Sequence, residues 1–526
     1  MPWCAAGPQA PVPPESSWAL ALLSALLLML PPLAGATSNN GQRGLAIRGE
    51  ERGGWDLRVA PAVPLVGAQA TVRLEVANNS EKVEEALEIE IEAERRPGET
   101  PILVMLEKNQ SIAPGRAKEF TAFWTPQRNG WHRLLATVRR AGETLAVGSL
   151  RVPVVARPVH IVWWADPYRE MRWITAVANA SDAEKTYWQA RGVLALRWAA
   201  GVDGWSYGWK PEQFVENYVS AAEAGYDGIA IDELGAYPGS EQERQQIEPM
   251  GEVFAAVRKK TSPGYFIAVW HCGSLTSAMA NACRHNVDLI MSEAYPNYVR
   301  GELGAHPFYP SLDHRLDAAR REDLLNGWPS YSPAKFIIAL GLTKHHGGVT
   351  PEEVEGIFRY IRRRAPESPG IAFFSGGDDI QPEVRRRADE CAERYFLRPM
   401  LTLWPEDIQP ERFETTGDHP LEVSVEVHNI GPMDSGAGQV RLYAKEVREG
   451  EWHDAGSQPV TPIPAWFCQG PADEIGEIEL GRCRLGFRWM PPKPGIYRLA
   501  VQILPGPGDE VLEPWVESEA TIRVRP

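Results

Sequence analysis

Residues Tyr226-Asp227-Gly228-Ile229-Ala230-Ile231-Asp232-Glu233 form a short, unbroken apolar run bounded by acids. A strand that is apolar on both faces belongs to a parallel sheet covered by helices. The helix pattern this requires precedes it, from Pro211 to Ala224, opened by proline and stopped at Gly225. The same rhythm extends in both directions. Strands Val159 to Ala165, Val193 to Trp198, Phe266 to Trp270, Asp288 to Met291, Phe336 to Leu340 and Ile371 to Phe374 alternate with helical segments such as Pro351 to Arg364, capped by Thr350. Seven strands over this length favour a (β/α)8 barrel with one strand unplaced, ahead of an open doubly wound sheet.

On either side the periodicity changes to two. Val72-Arg73-Leu74-Glu75-Val76 and Leu87-Glu88-Ile89-Glu90-Ile91-Glu92 alternate apolar and polar side chains, as antiparallel sandwich strands do. The texture returns in Leu421 to Gly431, Val440 to Tyr443 and Pro494 to Val501. The fold class read from these patterns is multidomain: a central (β/α)8 TIM barrel flanked by two immunoglobulin-like β-sandwiches. The divisions are a signal peptide at 1–36, an N-terminal sandwich at 37–157, the barrel at 158–400 and a C-terminal sandwich at 401–526.

The signal peptide is read from the uncharged apolar run Trp18 to Leu30, followed by Pro31-Pro32-Leu33-Ala34-Gly35-Ala36. That run is too short for a spanning helix and ends in a small-x-small cleavage site. The segment before it holds no Lys or Arg, a departure from the usual export signal. Secretion, or a periplasmic or cell-surface location, is the expectation, with no membrane span. The chain has 526 residues with 54 Lys+Arg against 69 Asp+Glu, a formal charge of −15. This acidic balance supplies no basic face for a phosphate backbone and argues against a nucleic-acid partner. Five cysteines follow the signal, none with CxxC spacing. Cys468 and Cys483 flank a short Gly/Glu-rich stretch and read as a disulfide, with two buried thiols as the alternative.

A barrel gathers its chemistry at the C-terminal ends of its strands. Here these ends deliver Trp163-Trp164-Ala165-Asp166, Arg197-Trp198, Asp232-Glu233, Trp270-His271, Glu293-Ala294-Tyr295, Lys344-His345-His346 and a Gly-rich turn with Asp378. If Ile229 and Ile231 face the helices, Asp232 faces the axis and Glu233 begins the loop. Asp232 and Glu293 then form a carboxylate pair of the kind that glycosidic-bond hydrolysis uses, one acid protonating the leaving oxygen and one carboxylate attacking or activating water. Trp163, Trp164, Trp198, Trp270 and Tyr295 would supply flat surfaces for sugar rings. Asp166, Arg197, His271, His345, His346 and Asp378 would supply polar contacts to substrate. For each acid the plainer reading is a cap or an ion-pair partner of Arg197.

The middle segment, with its Asp-Gly-Ile-Ala-Ile-Asp-Glu strand, resembles (β/α)8 glycoside hydrolases of the retaining type. That resemblance implies Asp232 as nucleophile and Glu293 as general acid/base, with Glu233 a rival for the acid role and no cofactor. Ala230 stands where the alpha-amylase family has Arg, and Leu234 where the chitinase-type motif has Glu, so no family is assigned. The last 120 or so residues, with V-x-V-x-V-x-N-x-G and P-G-x-Y-x-L-x-V strands, resemble the bacterial cell-adhesion-related β-sandwich module.

Other readings compete. Gly204-Trp205-Ser206-Tyr207-Gly208 matches the serine-hydrolase G-x-S-x-G pattern, but without the strand running straight into it or a suitable later Asp and His. His345-His346 lacks any H-x-H or H-E-x-x-H spacing, so no metal site is expected. A carbohydrate-binding protein whose barrel has lost its chemistry explains the modules and the 19 tryptophans equally well. A purely structural role leaves the polar strand ends without a purpose.

Overall fold

The structure, a computed structural model, describes residues 45–46, 57–61, 63–94, 100–128, 130–155, 160–163, 169–202, 206, 208–235, 239–262, 264–271, 276–294, 312–313, 315–316, 336–343, 349–366, 368–374, 380–448, 450–465, 467–468 and 478–526. The segment read as a signal peptide lies outside them. None of the described helices is long and apolar enough to cross a membrane.

Among the described residues, eight parallel strands close into a barrel: β1 (His160–Trp163), β2 (Ala176–Ala178), β3 (Leu194–Ala199), β4 (Gly228–Ile231), β5 (Phe266–His271), β6 (Leu289–Ala294), β7 (Phe336–Gly341) and β8 (Ile371–Phe374). The strand that the sequence did not place is β2, only three residues long. Followed around the barrel from Leu194, the pairing level reaches Glu293 through β2, β1, β8 and β7, but His285 through β4 and β5. The two arrivals are eight residues apart, the stagger characteristic of this barrel class. The interior alternates large and small residues. Trp163 and Trp270 fit because Ala176, Ala178, Ala230, Ala268, Ala339 and Ala372 leave them room.

The barrel is covered by α1 (Asp182–Gln189), α2 (Pro211–Glu223), α3 (Met250–Lys260), α4 (Ser277–Cys283), α5 (Pro351–Arg364) and α6 (Pro382–Phe396). Capping boxes start α1, from Ser181 and Glu184, and α5, from Thr350 and Glu353. Each stabilises its helix by about 1 kcal/mol.

Each flank is a pair of sheets sharing one core. Val72 and Leu74 of one N-terminal sheet meet Leu87 and Ile89 of the other, and Val423 and Val425 meet Leu499 and Val501 in the C-terminal pair. The two sandwiches repeat one device. Asn78 donates through Nδ2 to Lys82 O and Ile112 O, both at 2.8 Å, and its Oδ1 accepts from the backbone N–H of Ser80 at 2.9 Å. Asn429 donates to Met433 O at 2.7 Å and Ile463 O at 3.2 Å, and accepts from the N–H of Gly431 at 3.0 Å. The offsets of 2, 4 and 34 residues are identical, so one buried amide staples a strand, its turn and a distant segment in both modules. Gly431 is required beside it, because a Cβ there would strike Arg398 O and Met400 N.

The barrel's outer core continues into both flanks, taking in Val63 and Val155 on one side and Ile430, Met433 and Leu512 on the other. Arg362 of α5 is fully buried and donates to Pro366 O at 2.9 Å, to Ser368 O at 2.8 Å and to Ile430 O of the C-terminal sandwich. The expected disulfide is corrected: Cys483 is a free thiol, 3.9 Å from Thr461 Oγ1 on a strand where it pairs with Val427.

Candidate active site

Strand alternation decides which side chains reach the barrel axis. On β4, Ile229 and Ile231 pack against the helices and Ala230 packs inside, so Asp232, next in alternation, falls on the axis side. On β6, Ile290 and Ala294 pack outward while Leu289 and Met291 pack inward, and Glu293 follows them to the axis. Both carboxylates are half-buried at the C-terminal ends of strands separated by β5.

The Asp232 segment is held from both neighbouring strands. Its N–H donates to Ala199 O at 2.9 Å, and the N–H of Leu234 donates to Trp270 O at 3.0 Å. Trp198, on the axis side of β3, donates its indole Nε1–H to Asp232 Oδ2 at 2.9 Å. A donor to a carboxylate oxygen favours the ionised form and fixes its rotamer. Glu233 is exposed and carries a φ of 46°, a left-handed conformation that a non-glycine residue adopts at a cost of about 1–2 kcal/mol. Gly201 makes the arrangement possible, since a Cβ there would collide with the carbonyls of Asp232 and Glu233. Sequence reasoning missed Gly201, and it read Trp198 as a sugar platform without its hydrogen bond to Asp232. The signal for its positioning role is the pairing of Trp198 with Ala230, which becomes visible only with the register.

The structure redistributes the other sequence candidates. Trp163 and Trp270 are buried, with ring centroids 4.8 Å apart and Phe374 beside both. They form a packed floor in the barrel interior, and neither exposes a face on which a sugar ring could stack. Arg197 is corrected as a substrate contact: it alternates to the helix side, where Nη1 donates to Ser220 Oγ at 3.3 Å and the guanidinium lies 6.0 Å from the Tyr226 ring. His271 shares the helix-side parity of Val269 and is fully buried, so it stands behind the wall of the mouth. Trp164, Asp166, Tyr295, His345, His346 and Asp378 lie outside the described residues.

Two suggestive motifs prove structural. Ser206 is buried and its hydroxyl donates to Gly201 O at 2.6 Å, which removes it as an exposed nucleophile. In the Asp-Gly that opens β4, Asp227 Oδ2 accepts from the N–H of Ala195 at 2.8 Å and from Gln189 Nε2 at 3.1 Å, tying β4 to β3. Gly228 admits Phe266 O, which any Cβ would hit. Asp288 repeats this at β6, accepting from the N–H of Ile267 at 2.7 Å and from Arg258.

No protein-family model and no curated protein matches the chain. Among solved structures, it is similar to a Paenibacillus sp. cycloisomaltooligosaccharide glucanotransferase complexed with cycloisomaltoheptaose, at 10% identity and TM-score 0.33, over 86% of this chain and 72% of that one. It is similar to Bacteroides uniformis beta-glucuronidase 2 at 12% identity and TM-score 0.33, over 92% of this chain and 62% of that enzyme. A CARDB domain from Pyrococcus furiosus is similar at 24% identity and TM-score 0.16, over 19% of this chain and 96% of that one.

Proposed function

We propose that the chain is a secreted or cell-surface glycoside hydrolase that cleaves a glycosidic bond in an oligo- or polysaccharide, with immunoglobulin-like modules flanking its catalytic barrel. The observation that carries this reading is the pair of half-buried carboxylates, Asp232 and Glu293, on the axis side of next-but-one strands at the mouth. In the proposed reaction the Asp232 carboxylate attacks the anomeric carbon as Glu293 gives its proton to the departing oxygen. Water, deprotonated by Glu293, then releases the sugar from Asp232. The Trp198 N–H on Oδ2 orients Asp232 for attack. Glu233 is the lesser candidate because it is exposed on the loop, one residue past the alternation that aims Asp232 inward. No step calls on a cofactor.

The test is product release by the purified chain from a broad glycan panel, beside Asp232→Asn, Glu293→Gln and Glu233→Gln. Activity that disappears with Asp232→Asn and Glu293→Gln in folded protein, and survives Glu233→Gln, supports the assignment. Glycans bound but not cut would overturn it in favour of a carbohydrate-binding barrel.

A further inference from the structure

Away from the barrel mouth, the C-terminal sandwich gathers three metal-ligating side chains. Glu426 and His428 lie two apart on the strand Leu421–Asn429, so they share a face, and Asp407 comes from the one-turn helix Pro405–Asp407 that folds over it. His428 Nε2 is 3.2 Å from Asp407 Oδ2 and 3.9 Å from Glu426 Oε1, and one ligand atom from each residue fits within 4.8 Å of the others. Imidazole nitrogen and carboxylate oxygens bound to a common dication at about 2.0–2.2 Å sit at comparable separations from one another.

A second observation points to a ligand. His428 is only 9% exposed, covered by the Trp404 ring at 4.8 Å, and its Nε2 makes no hydrogen bond despite the nearby carboxylates. A fully buried ring nitrogen that converges with two acids without bonding to either is aimed between them. Charge agrees. The Asp407 and Glu426 side chains are 14% and 17% exposed, whereas the cations beside Glu426, Arg482 and Arg484, are 62% and 70% exposed. Arg484 donates to Glu426 Oε2 at 3.2 Å, while Oε1 lies 3.9 Å from His428 Nε2 and 3.8 Å from the exposed Arg482. Two part-buried carboxylates converging with an imidazole nitrogen are a donor set suited to a transition-metal dication.

We propose that Asp407, Glu426 and His428 bind a divalent transition metal of the Zn2+ class, with water completing the coordination. The metal clasps the Pro405–Asp407 turn to the strand, just past Met400–Thr402, the segment by which the chain passes from the barrel into the sandwich. The N-terminal module provides an internal contrast. Counted from its equivalent amide, Asn78, the position of Glu426 is taken by Glu75, but that of His428 is taken by Ala77.

The experiment uses the full chain, stripped with a chelator and dialysed against Zn2+ alone, with metal content and melting temperature measured. One Zn2+ per chain is expected, with a rise in melting temperature. His428→Ala and Asp407→Asn should each weaken binding by about 100-fold or more, a first-ligand loss exceeding the 10- to 100-fold of outer-shell changes. His428→Gln and circular dichroism control for folding. Co2+ substitution should give visible ligand-field bands that vanish in His428→Ala. The proposal is overturned if the folded chain takes up no stoichiometric Zn2+, or if uptake survives both substitutions. Destabilisation by His428→Ala that is indifferent to metal would likewise overturn it and identify a plain ion pair.

Discussion

The two ends of the barrel use the same side chains to opposite purposes. At the N-terminal end carboxylates hold backbone: Asp227 takes the N–H of Ala195, Asp288 that of Ile267, and Asp389 of α6 those of Arg172 and Trp173. At the C-terminal end Asp232 is held by a side chain, the indole of Trp198, and Glu293 stands on the axis side of the wall. The difference separates acids committed to holding backbone from acids left half-buried on the axis side of the mouth.

Substitution of the mouth acids should break this symmetry most sharply. Asp232→Asn and Glu293→Gln are expected to lower turnover by at least about 10²–10⁴-fold while leaving stability within about 1 kcal/mol, checked by glycan hydrolysis beside thermal unfolding. Asp227→Ala should do the reverse, removing about 1–3 kcal/mol of stability by orphaning the N–H of Ala195, with activity per folded molecule retained. Trp198→Phe keeps the ring but removes the donor to Asp232. A decrease of roughly 10-fold or more in kcat, with melting temperature nearly unchanged, is expected for the loss of a hydrogen bond to a charged group. An equal fall in stability would instead make Trp198 part of the barrel floor.

A subtler test concerns pH. Burial pushes Asp389 up to about 6 and holds buried His160 down to about 3. Their side chains come within 3.9 Å, but the imidazole is neutral at pH 7, so they form no ion pair there. Folded Asp389 keeps its proton above the ordinary 3.8, so its contribution to stability falls as pH rises from 3.8 to 6. Folded His160 gives up its proton below the ordinary 6.5, so its contribution rises with pH from 3 to 6.5. The two slopes oppose between 3.8 and 6. In Asp389→Asn the stability curve over that window should steepen upward with pH, measured by denaturant unfolding; an unchanged curve would contradict the assignment. The smallest effect is expected for Arg197→Ala, under about 1 kcal/mol in stability with no change in substrate affinity, because its guanidinium faces α2.

The legible part of this molecule was periodic. Runs such as Gly228 to Ile231 announced parallel strands, and the inward parity of Asp232 followed from counting by twos. Alternation said nothing about level or neighbours. Trp163 and Trp270 looked like ligand surfaces because a tryptophan at a strand end reads the same whether it plugs a barrel or lines its rim. Only the alanines opposite, on other strands, settle the matter. Arg197 follows the other parity: it neighbours Trp198 in sequence, but adjacent residues on a strand point apart. Ala176–Ala178 escaped because three residues carry too little pattern to separate a strand from a turn. The Asp407, Glu426 and His428 cluster was hidden for a different reason: its ligands meet through tertiary packing of a turn on a strand, at spacings no motif encodes.

Arg362 has a consequence for cooperativity. A fully buried guanidinium on α5 donates to a carbonyl of the C-terminal sandwich, and Ile430, Met433 and Leu512 of that sandwich finish the packing around the barrel. The sandwich therefore behaves as a ninth wall element of the barrel rather than as cargo on a tether. Cutting the chain near residue 400 would take the Ile430 acceptor from Arg362 and open the apolar layer to water. The barrel is thus expected to lose its sharp melting transition when expressed without its partner.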